Sequence, residues 1–421
     1  MVKINKADSG LTVATAELPH SESVCLGVWA GVGGRYEPGP LQGVSHFIEH
    51  MFFKGTAGRN ARQISEAVEG VGGYINAYTC EDHTCIYAKS HRKQWPLVLE
   101  VLLDMYVGSS FEPAEMEKER AVIQEELAMD LDQPQDYVHE LLHEVLWPNH
   151  PLGRNLTGTR KTLAKLERDQ MLAFRTAHYV TENTFLIAAG HIQHQEFQKA
   201  VAKWERSFAR GARPTFVPAE QAMPGPRVRH LKRRAAQTQL ALGILACSRH
   251  DPRRFALKLL NTMLGENMSS RLFQAVREDE GLTYSIHSSL SLYEDTGAIT
   301  VAAGLDAPKL GQAFRLILRE LKRLTSTMPT ARELQRARDY VVGQMALNLE
   351  GTESQMMWVG EQLLGYGKVV SQSWIEEQLM AVSPSQIRRL AVDLYRPERM
   401  RVALISPECD SKSLEKLLSS F

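Results

Sequence analysis

The sequence lacks the features that would place it in a specialised class of protein. No apolar run approaches the roughly 20 residues needed to span a bilayer, and the longest, such as Phe185–Ala189, are strand-sized. The 49 basic and 49 acidic side chains balance, whereas nucleic-acid-binding proteins usually carry a basic excess. The first residues show neither the apolar core of a signal peptide nor an arginine-rich presequence. We therefore expect no membrane span, no nucleic-acid partner and a cytoplasmic location.

Cysteine is scarce, and its placement is uninformative. Five residues, an odd number, are scattered along the chain: Cys25, Cys80, Cys85, Cys247 and Cys409. Four residues separate Cys80 from Cys85, unlike the C-x-x-C spacing of structural zinc sites, and no second pair accompanies them. Reduced, partly buried thiols are typical of cytoplasmic proteins. We expect neither a disulfide framework nor a cysteine metal site.

The length of 421 residues exceeds what one hydrophobic core usually organises, so at least two domains are expected. The segment 208–227 carries four prolines and little apolar periodicity, which is typical of a linker. The order of predicted elements is similar on both sides of it: strand, two helices, a pair of strands, a helical run and a closing strand. We predict two homologous α+β domains at 1–210 and 227–421, joined by a linker at 211–226.

The segment Ser45–Met51 carries the clearest chemistry in the sequence. On a helix, His46 and His50 lie one turn apart on the same face, so two imidazoles can take adjacent tetrahedral positions on one Zn²⁺. Glu49 lies close enough to that face to reach a metal-bound water. This H-x-x-E-H order is the inverted form of the H-E-x-x-H zinc motif. Such a short motif also occurs by accident on protein surfaces.

Two histidines do not complete a catalytic zinc site, which normally has three protein ligands and an open position for water. The predicted helix 113–129 offers Glu119, Glu125 and Glu126. Glu119 and Glu126 are seven residues apart and face the same way, whereas Glu125 points about 100° away. A glutamate-rich helix is also common as a solvated surface. The residues by themselves leave the third ligand open.

HFIEHMFFKGT (residues 46–56) resembles the zinc helix of the pitrilysin, insulin-degrading enzyme and mitochondrial processing peptidase family. By that resemblance the third ligand is Glu126, 76 residues after His50, and Glu119 is the family's helper glutamate. GGYINAYT (residues 72–79) resembles the edge strand that holds substrate backbone, which gives substrate-binding roles to Asn76 and Ala77. HPLG (150–153) and Gly158-Thr159 match a further landmark. The resemblance implies one zinc ion per chain.

In the second half, SSRLF (269–273) leads into a segment that resembles the family's substrate-binding region. Arg277 and Tyr284 keep the seven-residue spacing of the family's arginine and tyrosine, which donate hydrogen bonds to a substrate carbonyl. The resemblance covers essentially the whole chain. It implies the short class of the family, in which each subunit has two homologous domains, each a mostly antiparallel sheet packed with helices. Two subunits of this class close like a clam shell around a chamber.

These observations predict a zinc metalloendopeptidase that acts on peptides or unfolded segments. The catalytic residues would be Glu49, Glu119, Arg277 and Tyr284. The intact zinc set and the short loop at 264–268 resemble the catalytic rather than the non-catalytic subunits of the family, and the presence of Arg277 and Tyr284 in the same chain favours a homodimer. Alternatives are a scaffold or assembly subunit without activity, and a catalytic subunit that requires a zinc-free partner. Mn²⁺ or Co²⁺ would suit the same ligands.

Overall fold

The computed structural model describes residues 2–220, 225–408 and 411–421. Residues 221–224 of the predicted linker, and Cys409, lie outside the described residues. The chain forms two compact units. The first comprises Met1–Ala128, Arg154–Val217 and Ala346–Val369, and the second comprises Met129–Gly153, Pro218–Met345 and Val370–Phe421.

The described residues form eleven strands and fifteen α-helices. The strands are β1 (Val2–Lys6), β2 (Thr12–Glu17), β3 (Ser23–Ala30), β4 (Tyr74–Thr79), β5 (Thr84–His91), β6 (Thr184–Gly190), β7 (Val228–Lys232), β8 (Thr238–Ala246), β9 (Thr283–Leu292), β10 (Gly297–Leu305) and β11 (Met400–Ser406). The helices are α1 (Val44–Phe52), α2 (Ala61–Glu69), α3 (Trp95–Gly108), α4 (Pro113–Asp132), α5 (Pro134–Leu146), α6 (Arg160–Leu163), α7 (Arg168–His178), α8 (His194–Ala202), α9 (Arg254–Asn261), α10 (Leu310–Ser326), α11 (Ala331–Asn348), α12 (Thr352–Tyr366), α13 (Gln372–Ala381), α14 (Pro384–Leu394) and α15 (Ser411–Ser419). Two π-helical turns follow α9, at Thr262–Glu266 and Phe273–Glu278.

The first unit is built on a six-stranded sheet in the order β1-β2-β6-β3-β5-β4. β2 and β6 pair in parallel, and all other neighbours are antiparallel. The sheet of the second unit has the order β7-β11-β8-β10-β9, with the parallel pair again at β7 and β11. Without β1, the two sheets have one plan. The structure therefore confirms the predicted α+β class with two mostly antiparallel sheets packed with helices.

Each sheet is covered by a helix from the other half of the sequence. In the first unit α12 packs on β3 and β6, and in the second unit α5 packs on β8 and β11. Glycines allow both close approaches: a Cβ on Gly27 would lie 2.4 Å from Sδ of Met356, and one on Gly243 would lie 2.7 Å from Cδ1 of Leu146. The predicted continuous domains at 1–210 and 227–421 differ from the compact units in these exchanged segments.

Two strands have no counterpart among the predicted elements. β1 and β7 lie at the edges of their sheets, and their sequences, VKINK and VRHLK, are basic and half-exposed. Charged edge strands limit unwanted pairing between molecules, and the same charges hide the apolar alternation that identifies a strand. Among the described helices, none has both the length and the hydropathy to cross a membrane. The four described cysteines are free thiols.

Candidate metal centre

Helix α1 carries the H-x-x-E-H segment, and its start is fixed by a buried carboxylate. The backbone N–H groups of Gly43 and Ser45 donate to Glu37 at 2.7 and 2.8 Å. Burial raises the pKa of Glu37 to about 7, although these amide hydrogen bonds oppose the rise. Phe47, Ile48 and other apolar side chains of α1 are fully buried. The helix is therefore held firmly while its histidines remain half-buried.

Two glycines with positive φ let the chain cross closely before α1. Gly43 has φ +91°, and a Cβ there would lie 2.7 Å from the carbonyl oxygen of Thr157. Gly158 has φ +90°, and its Cβ would meet the carbonyl oxygen of Gln42 at the same distance. A side chain at either position would meet both strain and a clash. This crossing therefore requires glycine at both positions.

Glu126 of α4 faces both histidines of α1. Nε2 of His46 lies 3.7 Å from Oε1 of Glu126, and Nε2 of His50 lies 3.5 Å from Oε2. These are near the spacing of about 3.4 Å expected between ligands 2.0–2.1 Å from a tetrahedral zinc ion. Within the described ranges, His46, His50 and Glu126 are the single group of three potential ligands whose atoms lie within 4.8 Å of one another. The residues therefore fit a zinc ion.

Glu119 lies behind His50. Nδ1–H of His50 donates to Oε2 of Glu119 at 3.0 Å, which leaves Nε2 as the nitrogen that faces Glu126. Lys54 holds the other oxygen, with Nζ 2.6 Å from Oε1 of Glu119. Metal-binding histidines typically donate their second N–H to a carboxylate in this way, because it fixes the tautomer and the ring orientation.

The two histidines have different electrostatic surroundings. Burial, with repulsion from His50, lowers the pKa of His46 to about 4. Burial also opposes the charged form of His50, but hydrogen bonds to Glu126 and Glu119 outweigh it and raise its pKa. The His50 hydrogen bond lowers the pKa of Glu126. A neutral His46 and an ionised Glu126 are the protonation states that metal binding requires.

Glu49 is buried beside the ligands, with 9% of its surface exposed. Burial raises the pKa of its carboxyl, while a hydrogen bond from Thr79 opposes the rise. That bond is short: Oγ1 of Thr79 donates to Oε2 of Glu49 at 2.6 Å. A buried carboxylate with a raised pKa next to a metal site is suited to general-base work.

Thr79 ends β4, the edge strand predicted to hold substrate. Among the described residues β4 pairs with β5 alone, so one of its sides lacks a strand partner. Asn76 is exposed and Ala77 half-exposed. The backbone N–H of Ala77 donates to Oδ1 of Asn76 at 2.8 Å. The two residues of β4 that were predicted to bind substrate therefore lie on a strand whose other side has no strand partner among the described residues.

Arg277 and Tyr284 lie together in the second unit. The guanidinium of Arg277 stacks over the Tyr284 ring at 4.9 Å and over the Phe273 ring at 4.6 Å. Tyr284 is 78% exposed. An exposed aromatic ring stacked on an arginine presents a donor pair to the solvent, as a substrate-binding role requires.

Three residues of the centre were not predicted from the sequence: Thr79, Lys54 and Glu37. Two of them contact the site across separations in sequence that no short motif spans: Thr79 is 30 residues from Glu49, and Lys54 is 65 residues from Glu119. Glu37 is close in sequence to the amides of Gly43 and Ser45 but lies outside the H-x-x-E-H motif. The position of Thr79 at the last residue of the edge strand is the signal that could have identified it.

A second histidine pair lies on α5, where residues 139–143 read HELLH, a match to the H-E-x-x-H motif. Burial, with repulsion from His143 and His287, lowers the pKa of His139. In the part of the chain that the structure describes, these histidines do not belong to a group of three potential ligands whose atoms all lie within 4.8 Å of one another. The motif on α5 is therefore not assembled into a metal centre.

Comparison with known proteins identifies similar families and folds. The family model described as insulinase (peptidase family M16) matches residues 12–160, and the model described as the peptidase M16 inactive domain matches residues 165–341. The uncharacterized zinc protease YmxG of Bacillus subtilis is 37% identical over 407 residues, which cover 97% of this chain and 98% of the relative. A Mycobacterium tuberculosis relative, also named an uncharacterized zinc protease, is 34% identical over 413 residues, with 97% and 94% covered.

Solved structures share the whole fold. The crystal structure of a protease from Helicobacter pylori superposes with a TM-score of 0.89 at 20% identity, covering 97% of this chain and 99% of that chain. A Pseudomonas fluorescens structure, described as a peptidase M16 inactive domain, gives 0.88 at 19% identity, with 97% and 98% covered. At these identities the likeness shows the fold alone.

Proposed function

The chain belongs to the insulinase family, peptidase family M16, and on that premise we propose that it is a zinc-dependent endopeptidase. Its substrates would be peptides or unfolded segments small enough to enter an enclosed chamber. The observation that carries the proposal is the convergence of His46, His50 and Glu126 next to the buried Glu49. A scaffold subunit would have no need of this ligand set.

His46, His50 and Glu126 would hold one Zn²⁺ per chain. When bound, zinc acts as a Lewis acid toward water and the scissile carbonyl. Glu119 keeps the proton of His50 on Nδ1, so that Nε2 offers its lone pair to the metal. Lys54 supports this arrangement because it holds the second oxygen of Glu119.

Glu49 would act as the general base and then as the general acid. Its carboxylate takes a proton from the attacking water and delivers it to the leaving amine of the cleaved peptide. Burial favours this exchange, since the raised pKa lets the carboxyl hold a proton at a pH where an exposed glutamate would not.

The edge of β4 would bind the substrate backbone by β-augmentation. Strand pairing reads backbone groups rather than side chains, which suits an enzyme with broad sequence tolerance. Asn76 and Ala77 lie on this edge and would align the peptide. The end of β4 at Thr79 contacts Glu49, so a peptide on this strand would run toward the base.

Arg277 and Tyr284 would donate hydrogen bonds to the carbonyl oxygen on which negative charge develops. We propose that two chains form a homodimer and that the partner supplies this pair to each zinc centre. The presence of the zinc set and the Arg277–Tyr284 pair in one chain supports a homodimer over a heterodimer with a zinc-free partner.

The test is metal content together with cleavage of a quenched fluorescent peptide, for wild type and Glu49→Gln. We expect one zinc per chain in both proteins and turnover lowered by about 10²–10⁴-fold in the variant, because it cannot accept the proton. Glu125→Gln is the matched control, since Glu125 is an exposed neighbour of Glu126.

Other outcomes would contradict different parts of the proposal. Near-normal turnover by zinc-loaded Glu49→Gln would remove Glu49 from the base role. Zinc without turnover in wild type would indicate a missing heterologous partner. Neither zinc nor turnover in wild type would favour the scaffold alternative.

A further inference from the structure

The base at the zinc centre is held by a residue of the substrate-binding strand. We propose that Thr79 is a positioning residue for Glu49, reserving one carboxylate oxygen so that the other carries the proton. The inference rests on the proposed peptidase function. It concerns the hydroxyl of Thr79, which is not one of the three potential ligands and lies outside the H-x-x-E-H motif.

The direction of the hydrogen bond follows from its surroundings. Oγ1 of Thr79 lies 2.6 Å from Oε2 of Glu49 and 3.4 Å from Oγ1 of Thr84. Thr84 donates its own proton to the carbonyl oxygen of Val32 at 2.9 Å. A carboxylate at 2.6 Å is the stronger acceptor, so the hydroxyl proton of Thr79 points at Glu49.

This bond makes the two oxygens of Glu49 inequivalent. Oε2 is engaged by Thr79, which is the hydrogen-bond partner of Glu49 among the described residues. The oxygen with spare basicity is Oε1. A proton taken from water therefore goes to Oε1, and it leaves from Oε1 for the amine, so that one atom does both transfers without rotation of the carboxyl group.

The backbone around Thr79 is rigid enough for this role. Thr79 is the last residue of β4 and pairs with Thr84 of β5. The next residue, Cys80, is fixed on both sides: its N–H donates to the carbonyl of His83 at 2.9 Å, and its own carbonyl accepts from the N–H of Gly34 at 3.1 Å. The Thr79 hydroxyl is thus placed by the strand and the turn, so the strand that would hold the peptide also sets the position of the base.

The experiment compares Thr79→Val, which keeps the shape but removes the donor, with Thr79→Ser, which keeps the donor. We expect Thr79→Val to lower kcat by about 10–100-fold, since small misplacement of a catalytic group costs up to about 10²-fold, with KM within about twofold and full zinc content. Thr79→Ser should recover kcat to within about threefold of wild type. Thr300→Val, at a buried strand position of the second unit, is the matched control and should be unchanged.

A double variant separates positioning from a general loss of structure. If Thr79 acts through Glu49, adding Thr79→Val to Glu49→Gln causes no further loss of kcat, because residues that act as a unit are not additive. Additive losses, a serine variant as slow as the valine variant, or wild-type kcat in Thr79→Val would each overturn the proposal. If Thr79→Val is fully active while Glu49→Gln is inactive, the peptidase function stands and the role of Thr79 does not. A wild type with neither zinc nor turnover refutes the function itself.

Discussion

The two compact units share one sheet plan but differ at the helix that follows the second matching strand. In the first unit α1 follows β3 and carries His46, Glu49 and His50. In the second unit α9 follows β8, and the carboxylate of the next turn, Glu266, accepts hydrogen bonds from Asn261 and Thr262 at 3.3 and 2.8 Å. The Glu266 carboxylate thus has hydrogen-bond donors from its own local region. A repeated fold provides the position, and the side chains alone decide whether a metal can bind there.

The histidine motifs of α1 and α5 also differ in whether neighbouring side chains complete a metal site. Both α1 and α5 present two histidines four residues apart with a glutamate between them. On α1 another helix supplies a third ligand and a carboxylate behind a histidine, through Glu126 and Glu119. Among the described residues, the histidines of α5 belong to no group of three potential ligands within 4.8 Å of one another. The opposite face of α5 is occupied by apolar packing on β8 and β11. A helix motif therefore indicates a metal centre when a facing element completes it.

The largest effect is expected from breaking the centre on α1. Glu126→Gln should reduce bound zinc from one per chain toward none and lower turnover by at least about 10³-fold, since a metal contributes several kcal/mol to such reactions. His143→Gln should leave both quantities unchanged. Metal analysis after dialysis, with peptide cleavage on the same samples, measures both.

Two results for metal content would contradict a single centre on α1 with Glu126 as its third ligand. A wild-type content of two metal ions per chain, with one lost in His143→Gln, would make α5 a second centre. Full zinc in Glu126→Gln would mean that the third ligand is another residue.

The metal centre was more predictable from the sequence than the assignment of segments to units. His46 and His50 were predictable as a pair because their four-residue spacing places them on one face of a helix. Glu126 came only from the family resemblance, since the residues alone left the third ligand open, and the structure brings all three together. The exchange of α5 and α12 was not predictable, because each helix is apolar toward a sheet, and its own sequence does not say which sheet. Thr79 and Lys54 escaped prediction because their contacts arise from tertiary packing between distant segments. The charged edge strands β1 and β7 lack the pattern that identifies a strand.

A smaller effect concerns the exposed pair of the second unit. Arg277→Ala should lower kcat by about 10²–10³-fold, the usual loss for one oxyanion donor, while zinc stays bound. If the pair acts on the partner's zinc centre, mixing Arg277→Ala with Glu49→Gln restores activity. Random pairing makes half the dimers mixed, each with one intact site, so about one quarter of wild-type activity is expected.

The complementation experiment distinguishes an Arg277 that acts on the partner's zinc centre from one that does not. The two variants must be unfolded and refolded together, or co-expressed, so that subunits exchange. No recovery in mixed dimers verified by differential tags would place Arg277 and Glu49 in the same chain's site, or exclude Arg277 from the reaction.

The smallest effect distinguishes the two acidic residues that precede α1 and α9. Burial raises the pKa of Glu37 to about 7, whereas a hydrogen bond from Arg253 lowers the pKa of Asp251. A carboxyl whose folded pKa is raised above its ordinary value of 4.5 stabilises the fold at low pH, and this contribution is lost as pH rises through about 7. The total is at most about 3 kcal/mol. For Asp251 the stabilisation is present above its ordinary pKa of 3.8 and is lost only in stronger acid.

We therefore expect the Tm of wild type to fall by a few degrees relative to that of Glu37→Gln between pH 5 and 8. The difference in Tm between wild type and Asp251→Asn should stay constant over the same range. Metal-free protein should be used, because metal binding itself competes with protons. If the Glu37→Gln difference is flat, the amides of Gly43 and Ser45 must keep the carboxylate ionised throughout, since two N–H donors at a helix start favour the anion. Whether this difference in Tm falls with pH or stays flat therefore decides if burial or the two amide hydrogen bonds determine the pKa of Glu37.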